Sequence, residues 1–153
     1  MRRVAHRSEL SLVQAERGPG GGATERHYLD FAADGRPLRT ASTAATSDLI
    51  SGLWLGSTEP GHSTLQRLLG ESEPDAPHGR VTLYVCPECA DLGCGAITVV
   101  LTINDATVTW RDWGYQNNYE DGVSPIDRVG TISFDAVQYR QLLSDVRDSM
   151  FAR

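Results

Sequence analysis

The sequence contains no lysine, and all fourteen of its basic residues are arginine. This absence excludes Schiff-base chemistry at a lysine and regulation by lysine acetylation, and it leaves every arginine charged at physiological pH. The sequence also has no apolar run that approaches the roughly 20 residues needed to cross a bilayer. It therefore predicts a soluble protein without a membrane partner.

Several signatures of catalysis and nucleotide binding are also missing. The sequence has no serine elbow, no pair of histidines at metal-ligand spacing and no nucleotide-binding glycine pattern. Its glycine-rich stretch, residues 18–22, lacks the lysine and the following serine or threonine of a phosphate-binding P-loop. We therefore assign no catalytic residues and expect a protein that is not an enzyme.

The amino terminus is basic but has no apolar segment behind it. Residues 1–7 include three arginines, and the residues that follow them are largely polar. A secretory signal requires an apolar region directly after its basic start. The sequence therefore predicts a cytoplasmic location.

The acidic excess is concentrated in one segment. The formal net charge of the chain is -6, and residues 81–127 contain one arginine against seven acidic residues. Nucleic-acid binding normally needs a basic face that displaces counterions. This segment therefore argues against a nucleic-acid partner, and it favours either a partner with a basic contact surface or a solvated face.

The amino-terminal third predicts β-hairpins between residues 8 and 39. Residues Glu9 to Gln14 and Glu25 to Phe31 read as two strands joined by the glycine-rich stretch, because their apolar residues alternate with polar ones. Asp34-Gly35 is typical of a two-residue turn, after which Arg36 to Arg39 is expected to return as a short strand. With 153 residues and 40% hydrophobic content, the chain is expected to form a single α+β domain.

Two short helices are predicted between residues 47 and 70. Asp48 is expected to cap the first, because apolar residues follow it at helical spacing and Gly56 can end it. Ser63 or Thr64 is expected to begin the second, and Gly70 to end it. The apolar residues on the inward faces are Leu49, Ile50, Leu53 and Trp54 in the first helix, and Leu65, Leu68 and Leu69 in the second.

An antiparallel meander with one buried face is predicted between residues 80 and 113. Two strands, Val81 to Val85 and Ala96 to Ile103, alternate in polarity, and a turn at Asn104-Asp105 leads to a third strand through Val108 and Trp110. Glycine, asparagine and proline then interrupt the pattern, so residues 114–130 are predicted to form a long loop.

The carboxyl-terminal residues 135–151 predict one amphipathic helix packed on the sheet. Asp135 stands three residues before Gln138, the arrangement of a capping box at a helix start. The apolar residues that follow, at spacings of three and four, are Tyr139, Leu142, Leu143, Val146 and Met150.

The spacing Cys86-x2-Cys89-x4-Cys94 is the strongest chemical pattern in the sequence, and it lies between two predicted strands. Zinc prefers four tetrahedral ligands, and two cysteines in a C-P-x-C turn can point at one ion while the third returns from the far side of the loop. His78 is the nearest candidate for the fourth ligand, and His62 and Asp91 are weaker ones. The alternative is that the three cysteines are plain reduced thiols.

Cys86-Pro87-Glu88-Cys89 also resembles the C-P-x-C active site of glutaredoxins and related thioredoxin-fold proteins. That resemblance implies a thiol-dependent oxidoreductase, in which a helix N-terminus lowers the pKa of the first cysteine. No helix is expected after Cys89, because a β-branched run begins at Ile97. A disulfide between Cys89 and Cys94 remains an alternative under oxidation, although three cysteines leave an odd thiol.

Aromatic, amide and acidic side chains alternate directly after the third strand. Such a composition is typical of a recognition surface, because rigid aromatic groups stand beside adaptable hydrogen-bonding groups. The alternative is that Trp110 and Trp113 belong to the core and that the remainder is an ordinary polar loop. The candidate binding residues are Trp113, Tyr115, Asn117, Asn118, Tyr119, Glu120 and Asp121.

Three stretches carry a further resemblance: V-T-L-Y-V-C-P-E-C-A-D-L-G-C-G-A-I-T-V, W-R-D-W-G-Y-Q-N-N-Y-E and Y-L-D-F-A-A-D-G-R-P-L. Together they resemble a group of small uncharacterised bacterial proteins. The resemblance implies a bacterial protein and implies no activity. From the residues themselves, we expect a non-catalytic binding or adaptor protein with a zinc-stabilised cysteine hairpin, and the rival expectation is a thiol-dependent oxidoreductase.

Overall fold

Two antiparallel sheets and three helices make up the fold of the computed structural model, which describes residues 6–20, 23–56 and 58–151. The predicted α+β class is confirmed. Residues 1–5 and Gly21-Gly22, for which predictions were made, lie outside the described residues. The elements are β1 Leu10–Arg17, β2 Arg26–Ala33, β3 Arg36–Pro37, α1 Leu38–Ala41, β4 Ile50–Ser51, α2 Thr58–Leu68, β5 Val81–Val85, β6 Ala96–Ile103, β7 Thr107–Gln116, β8 Ser124–Pro125, β9 Ile132–Asp135 and α3 Ala136–Met150.

The smaller sheet has the strand order β1-β2-β3 and corresponds to the predicted hairpins. The turn between β2 and β3 is Asp34-Gly35, whose φ angles of 50° and 81° are both positive, as the sequence predicts. Strand β3 ends at Pro37, two residues earlier than expected, because proline has no N–H to donate to a ladder. Residues Leu38–Ala41 form α1 instead.

The prediction of a helix that begins at Asp48 is wrong. Ile50 and Ser51 form β4, which pairs with the end of β5, and the Leu53 carbonyl accepts a hydrogen bond from Leu29 of β2 at 3.0 Å. Extended backbone therefore joins both sheets here. The apolar spacing at this point reflects burial among the two sheets and not a helix face, since Ile50 and Leu53 are fully buried.

The second helix of the middle region begins earlier than its sequence signals indicate. Helix α2 starts at Thr58, not at Ser63, and Pro60 lies in its first turn, where no intrahelical N–H is needed. Gly61 allows the aromatic ring of Phe151 to approach, because a Cβ atom at this position would collide with that ring. The helix ends as predicted before Gly70, which adopts a φ of 76°.

The larger sheet has the path β4-β5-β6-β7-β8, with β9 paired to β7. Every residue of β5 is buried, so both faces of this strand are covered, whereas one buried face was expected. The smaller sheet forms one covering layer, and helix α2 contacts the strand as well. Phe31 of the smaller sheet packs edge-on against Tyr84 and Trp110, with ring centroids 5.8 Å and 5.3 Å apart.

Strand β7 extends into the region predicted as a long loop. It continues to Gln116, which pairs with Ala96 of β6. A β-bulge between the pairs made by Thr98 and Val100 accommodates Asp112, whose φ is 54°. The loop prediction for residues 114–130 is therefore wrong at its start. Irregular backbone covers residues 117–123 and 126–131, on either side of the two-residue strand β8.

Helix α3 begins where the sequence predicts. The Asp135 carboxylate accepts a hydrogen bond from the Gln138 N–H at 3.0 Å, but the Gln138 side chain bonds to the backbone of Leu10 and does not complete a capping box. Tyr139 anchors the helix in the core: its hydroxyl donates to the Leu68 carbonyl at 2.8 Å and accepts from the Trp110 indole at 3.2 Å.

Candidate metal site and adjoining loop

The three cysteines occupy the connection between β5 and β6, as the sequence predicts. A turn follows Cys86, whose carbonyl accepts a hydrogen bond from Ala90 at 2.8 Å. A single 3-10 turn then spans Leu92–Cys94, capped by the Asp91 carboxylate, which accepts from the Gly93 N–H at 3.0 Å. This backbone path returns Cys94 to the side of the first two cysteines.

The three sulfur atoms converge. All lie within 4.8 Å of one another, and the Sγ atoms of Cys89 and Cys94 are 3.3 Å apart. Thiolates bound to one tetrahedral zinc at about 2.3 Å lie roughly 3.8 Å from each other, so the arrangement fits a single ion. Cys86 is half-buried and the other two are exposed, which leaves the cluster open to solvent on one side.

The protein environment separates the acidities of these thiols. Burial opposes ionisation of Cys86, but the backbone N–H groups of Glu88 and Cys89 and the neighbouring thiols outweigh it and lower the Cys86 pKa. Hydrogen bonds from Cys94 to Cys89 and Cys86, and repulsion by those two sulfurs, raise the pKa of Cys94 to about 12. Backbone N–H groups that point at a sulfur stabilise a thiolate, which is the form that binds metal.

Glu88 fixes the cysteine turn to the smaller sheet. Its carboxylate accepts hydrogen bonds from the Thr24 N–H at 2.9 Å, from the Thr24 hydroxyl and from Arg17 at 2.6 Å. These bonds hold the Glu88 pKa at about 2. The preceding residue is held as well, since the Pro87 carbonyl accepts from Arg26 at 2.7 Å. The turn is therefore supported from outside its own hairpin.

The structure does not bring the predicted fourth ligands into the cysteine group. Among the described residues, the group of metal-binding side chains within mutual reach consists of the three cysteines. His78 lies in a shallow cleft of about 140 Å³ beside Gln116 and the 117–122 loop, and His62 lies on α2. Asp91 uses its carboxylate as the cap described above. The assignment of His78 as a ligand stays a prediction.

The predicted binding residues are divided between core and surface. Trp113 is 3% exposed and packs against the fully buried Trp110, with ring centroids 6.2 Å apart. Asn117 shapes the loop, because its side-chain oxygen accepts from the N–H groups of Tyr119 and Glu120 at 2.9 Å and 3.0 Å. Tyr119 is 84% exposed. Asn118, Glu120 and Asp121 are also exposed.

The loop adjoins the cysteine cluster, although nothing in the sequence links the two. A Cβ atom at Gly95, next to Cys94, would collide with the phenol of Tyr115. A Cβ atom at Gly93 would lie 3.3 Å from the side-chain nitrogen of Asn118. The two candidate sites therefore form one continuous surface.

Sequence reasoning missed a buried polar network beneath this surface. Arg80, 5% exposed, donates to the Thr98 hydroxyl at 2.8 Å, and that hydroxyl donates to Gln116 at 2.6 Å. Gln116 in turn donates to the Pro77 carbonyl at 3.2 Å. The available signal was Gln116 itself, a polar residue that is buried once β7 is extended past Trp113.

Together, the fold and the cluster define an α+β protein with a three-cysteine candidate metal site. Comparison with protein-family models, curated proteins and solved structures finds no match for the chain. Among the described residues, no helix has the length and apolar character needed to span a membrane.

Proposed function

We propose that this protein is a non-catalytic binding protein whose cysteine hairpin is stabilised by one zinc ion. The observation that carries the proposal is the convergence of the three Sγ atoms within 4.8 Å, on a turn that Glu88 holds from a separate sheet. Zinc supplies a cross-link when bound, and its binding free energy then contributes to folding. Cys86, Cys89 and Cys94 are the ligands.

The binding surface is the 117–121 loop beside the cluster. Tyr119 is the exposed aromatic anchor, and Glu120 and Asp121 supply the surrounding negative charge. The partner is a protein with a basic contact surface, because unlike charges speed encounter and an aromatic anchor slows dissociation. Trp113 supports the loop from the core and does not contact the partner. The setting is the bacterial cytoplasm, where thiols stay reduced.

A thiol-dependent oxidoreductase is the second candidate. Two observations favour it: the 3.3 Å separation of the Cys89 and Cys94 sulfurs and the lowered Cys86 pKa. The arrangement lacks one element of the glutaredoxin site, since Cys86 is followed by a turn and a 3-10 turn in place of an α-helix. The lowered pKa comes from local N–H groups, which suit a metal thiolate equally well. We therefore place zinc binding first.

Serine variants test the proposal. Each of Cys86→Ser, Cys89→Ser and Cys94→Ser should release zinc in competition with a coloured chelator, and each should reduce the free energy of unfolding. Asp91→Asn is the matched control, because asparagine can keep the cap while it removes the carboxylate. Zinc retained by all three serine variants would contradict the proposal.

His78→Asn tests the predicted fourth ligand separately. His78 has a φ of 68°, and asparagine tolerates this left-handed conformation better than most residues. Loss of zinc from this variant would assign His78 to the site. Retention would leave the three cysteines with a ligand from solvent.

A further inference from the structure

A cleft of about 340 Å³ lies beside β7, and Arg80 forms part of its wall. Its volume is within the range of small-molecule sites. Arg80 is 5% exposed, and its hydrogen bonds go to the Thr98 hydroxyl, the Thr98 carbonyl and the Asp112 carbonyl. These bonds use Nε and Nη2. Within the described part of the chain Nη1 has no hydrogen-bond partner, so it is available to a ligand.

This buried cation forms no direct ion pair with a carboxylate among the described residues. Asp112 meets Arg80 through its backbone carbonyl, while its carboxylate forms an ion pair with Arg111 at 2.7 Å. Burial lowers the Arg80 pKa, and the nearby Asp112 charge offsets this effect only in part. Burying a guanidinium without a direct ion pair is costly, and in native proteins such charges are normally paired. A ligand that supplies an anion would complete the arrangement.

Trp113, which also lines the cleft, carries a second unused donor. Its indole Nε1 is buried and has no hydrogen-bond partner among the residues that the structure describes. Buried indole N–H groups usually find an acceptor. Two donors without an anionic partner, on neighbouring parts of one cleft, therefore point to an oxygen ligand such as a carboxylate.

The backbone around Arg80 is shaped for this cleft. Asp112 adopts a φ of 54° at the bulge of β7, which directs its carbonyl onto Arg80. Gly114 is required beside it, because a Cβ atom there would collide with Val123 and lie 3.2 Å from Arg80 Nη2. Strained backbone of this kind concentrates at binding sites.

The remaining walls determine what else the ligand carries. Val123 and Ile126 supply apolar surface, and Asp127 places an exposed carboxylate at the cleft. Asp127 has no ion-pair partner within the described residues. We infer that the cleft binds a small zwitterion with an apolar side chain, such as a free amino acid. Its carboxylate bonds to Arg80 and Trp113, its ammonium group to Asp127, and its side chain contacts Val123 and Ile126.

Three matched probes test this inference through the Trp113 indole N–H resonance. L-leucine carries both charges, 4-methylpentanoate lacks the ammonium group, and 3-methylbutylamine lacks the carboxylate. The amine tests the carboxylate contact without a substitution at Arg80, because loss of the Arg80 hydrogen bonds could unfold the protein. L-leucine should shift the resonance with the highest affinity of the three, and 3-methylbutylamine should leave it unchanged.

Asp127→Asn provides the second measurement. It should weaken L-leucine binding about two- to fivefold, as expected for a solvent-exposed ion pair, and should leave 4-methylpentanoate binding unchanged. Asp105→Asn removes the same charge outside the cleft and should change neither. The inference is overturned if L-leucine does not shift the indole resonance, if either single-charge probe binds as tightly, or if Asp127→Asn has no effect.

Discussion

A hydrogen bond between two buried side chains joins the two sheets of this protein. The Tyr84 hydroxyl, on β5, donates to the Asp30 carboxylate, on β2, at 2.7 Å. Asp30 is 8% exposed, and burial raises its pKa although the Tyr84 hydroxyl opposes that shift. A buried acceptor of this kind is expensive to leave without its donor.

Tyr84→Phe should therefore destabilise the protein by about 1–3 kcal/mol, because the Asp30 carboxyl loses its side-chain donor and is left with the backbone N–H groups of Phe31 and Arg39, while the aromatic packing is unchanged. Chemical denaturation measures the change. Tyr119→Phe removes the same hydroxyl from a residue that is 84% exposed and should have no effect. Equal stability of Tyr84→Phe and the wild type would show that the hydroxyl does not hold the sheets.

A second prediction concerns the pH dependence of stability and rests on Asp34. His6, at 2.8 Å, and the Glu9 N–H hold the Asp34 pKa at about 2, below its ordinary value of 3.8. A carboxyl group whose pKa is lowered in the folded state stabilises the protein at pH values above its ordinary pKa. This contribution is lost as the pH falls towards 2.

Unfolding measured across this acid range should show the loss. Asp34→Asn should reduce the dependence of stability on pH, whereas Asp105→Asn, which also removes a carboxylate from a turn, should leave the dependence as in the wild type. An unchanged acid profile in Asp34→Asn would contradict the assigned contacts.

Among the elements, those set by a local pattern could be predicted from the sequence and those set by distant pairing could not. Strands β5 and β6 alternate in polarity, and helix α3 has both a cap and an apolar stripe, so each was located closely. Strand β4 has two residues and exists because Val85 and Tyr84 pair with it. The helical spacing of the apolar residues from Leu49 to Trp54 was a stronger signal than any strand pattern there.

The same division applies to the candidate site. Cysteine spacing between two strands predicted that the three sulfurs would converge. The support from Thr24 and Arg17 could not be predicted, because these residues are 64 and 71 positions away from Glu88. Burial of Arg80 was equally hidden, since it depends on a bulge that forms only when β6 and β7 pair.

Glu88→Ala tests whether this support positions the cysteine turn. Loss of its bonds to Thr24 and Arg17 should weaken zinc binding by roughly tenfold or more, as found when residues that orient metal ligands are removed. Competition with a chelator measures the affinity. Glu120→Ala removes an exposed glutamate outside the cluster and should leave the affinity unchanged. If the two variants bind zinc equally, the turn needs no support from the smaller sheet.

For the whole molecule, charge and exposed aromatic surface coincide. The segment 81–127 carries the whole of the formal acidic excess, and within it the 117–121 loop presents Tyr119 beside Glu120 and Asp121. Such an arrangement gives separate control of the rates at which a basic partner binds and leaves.

With a partner isolated by pull-down, Glu120→Gln with Asp121→Asn should reduce the association rate, and most strongly at low salt. Tyr119→Ala should mainly raise the dissociation rate. Surface plasmon resonance measures both, with Asp105→Asn as the control for a lost charge elsewhere. Unchanged binding in all of these variants would exclude the loop as the contact surface.

The most direct test of the account is the metal content of the wild-type protein, purified under reducing conditions without chelator. Elemental analysis should find about one zinc per chain, because three converging thiolates on a supported turn form one site. Addition of a chelator should remove the ion, and the three cysteines should then become open to alkylation. Protein that is folded, fully reduced and free of metal would contradict the central claim.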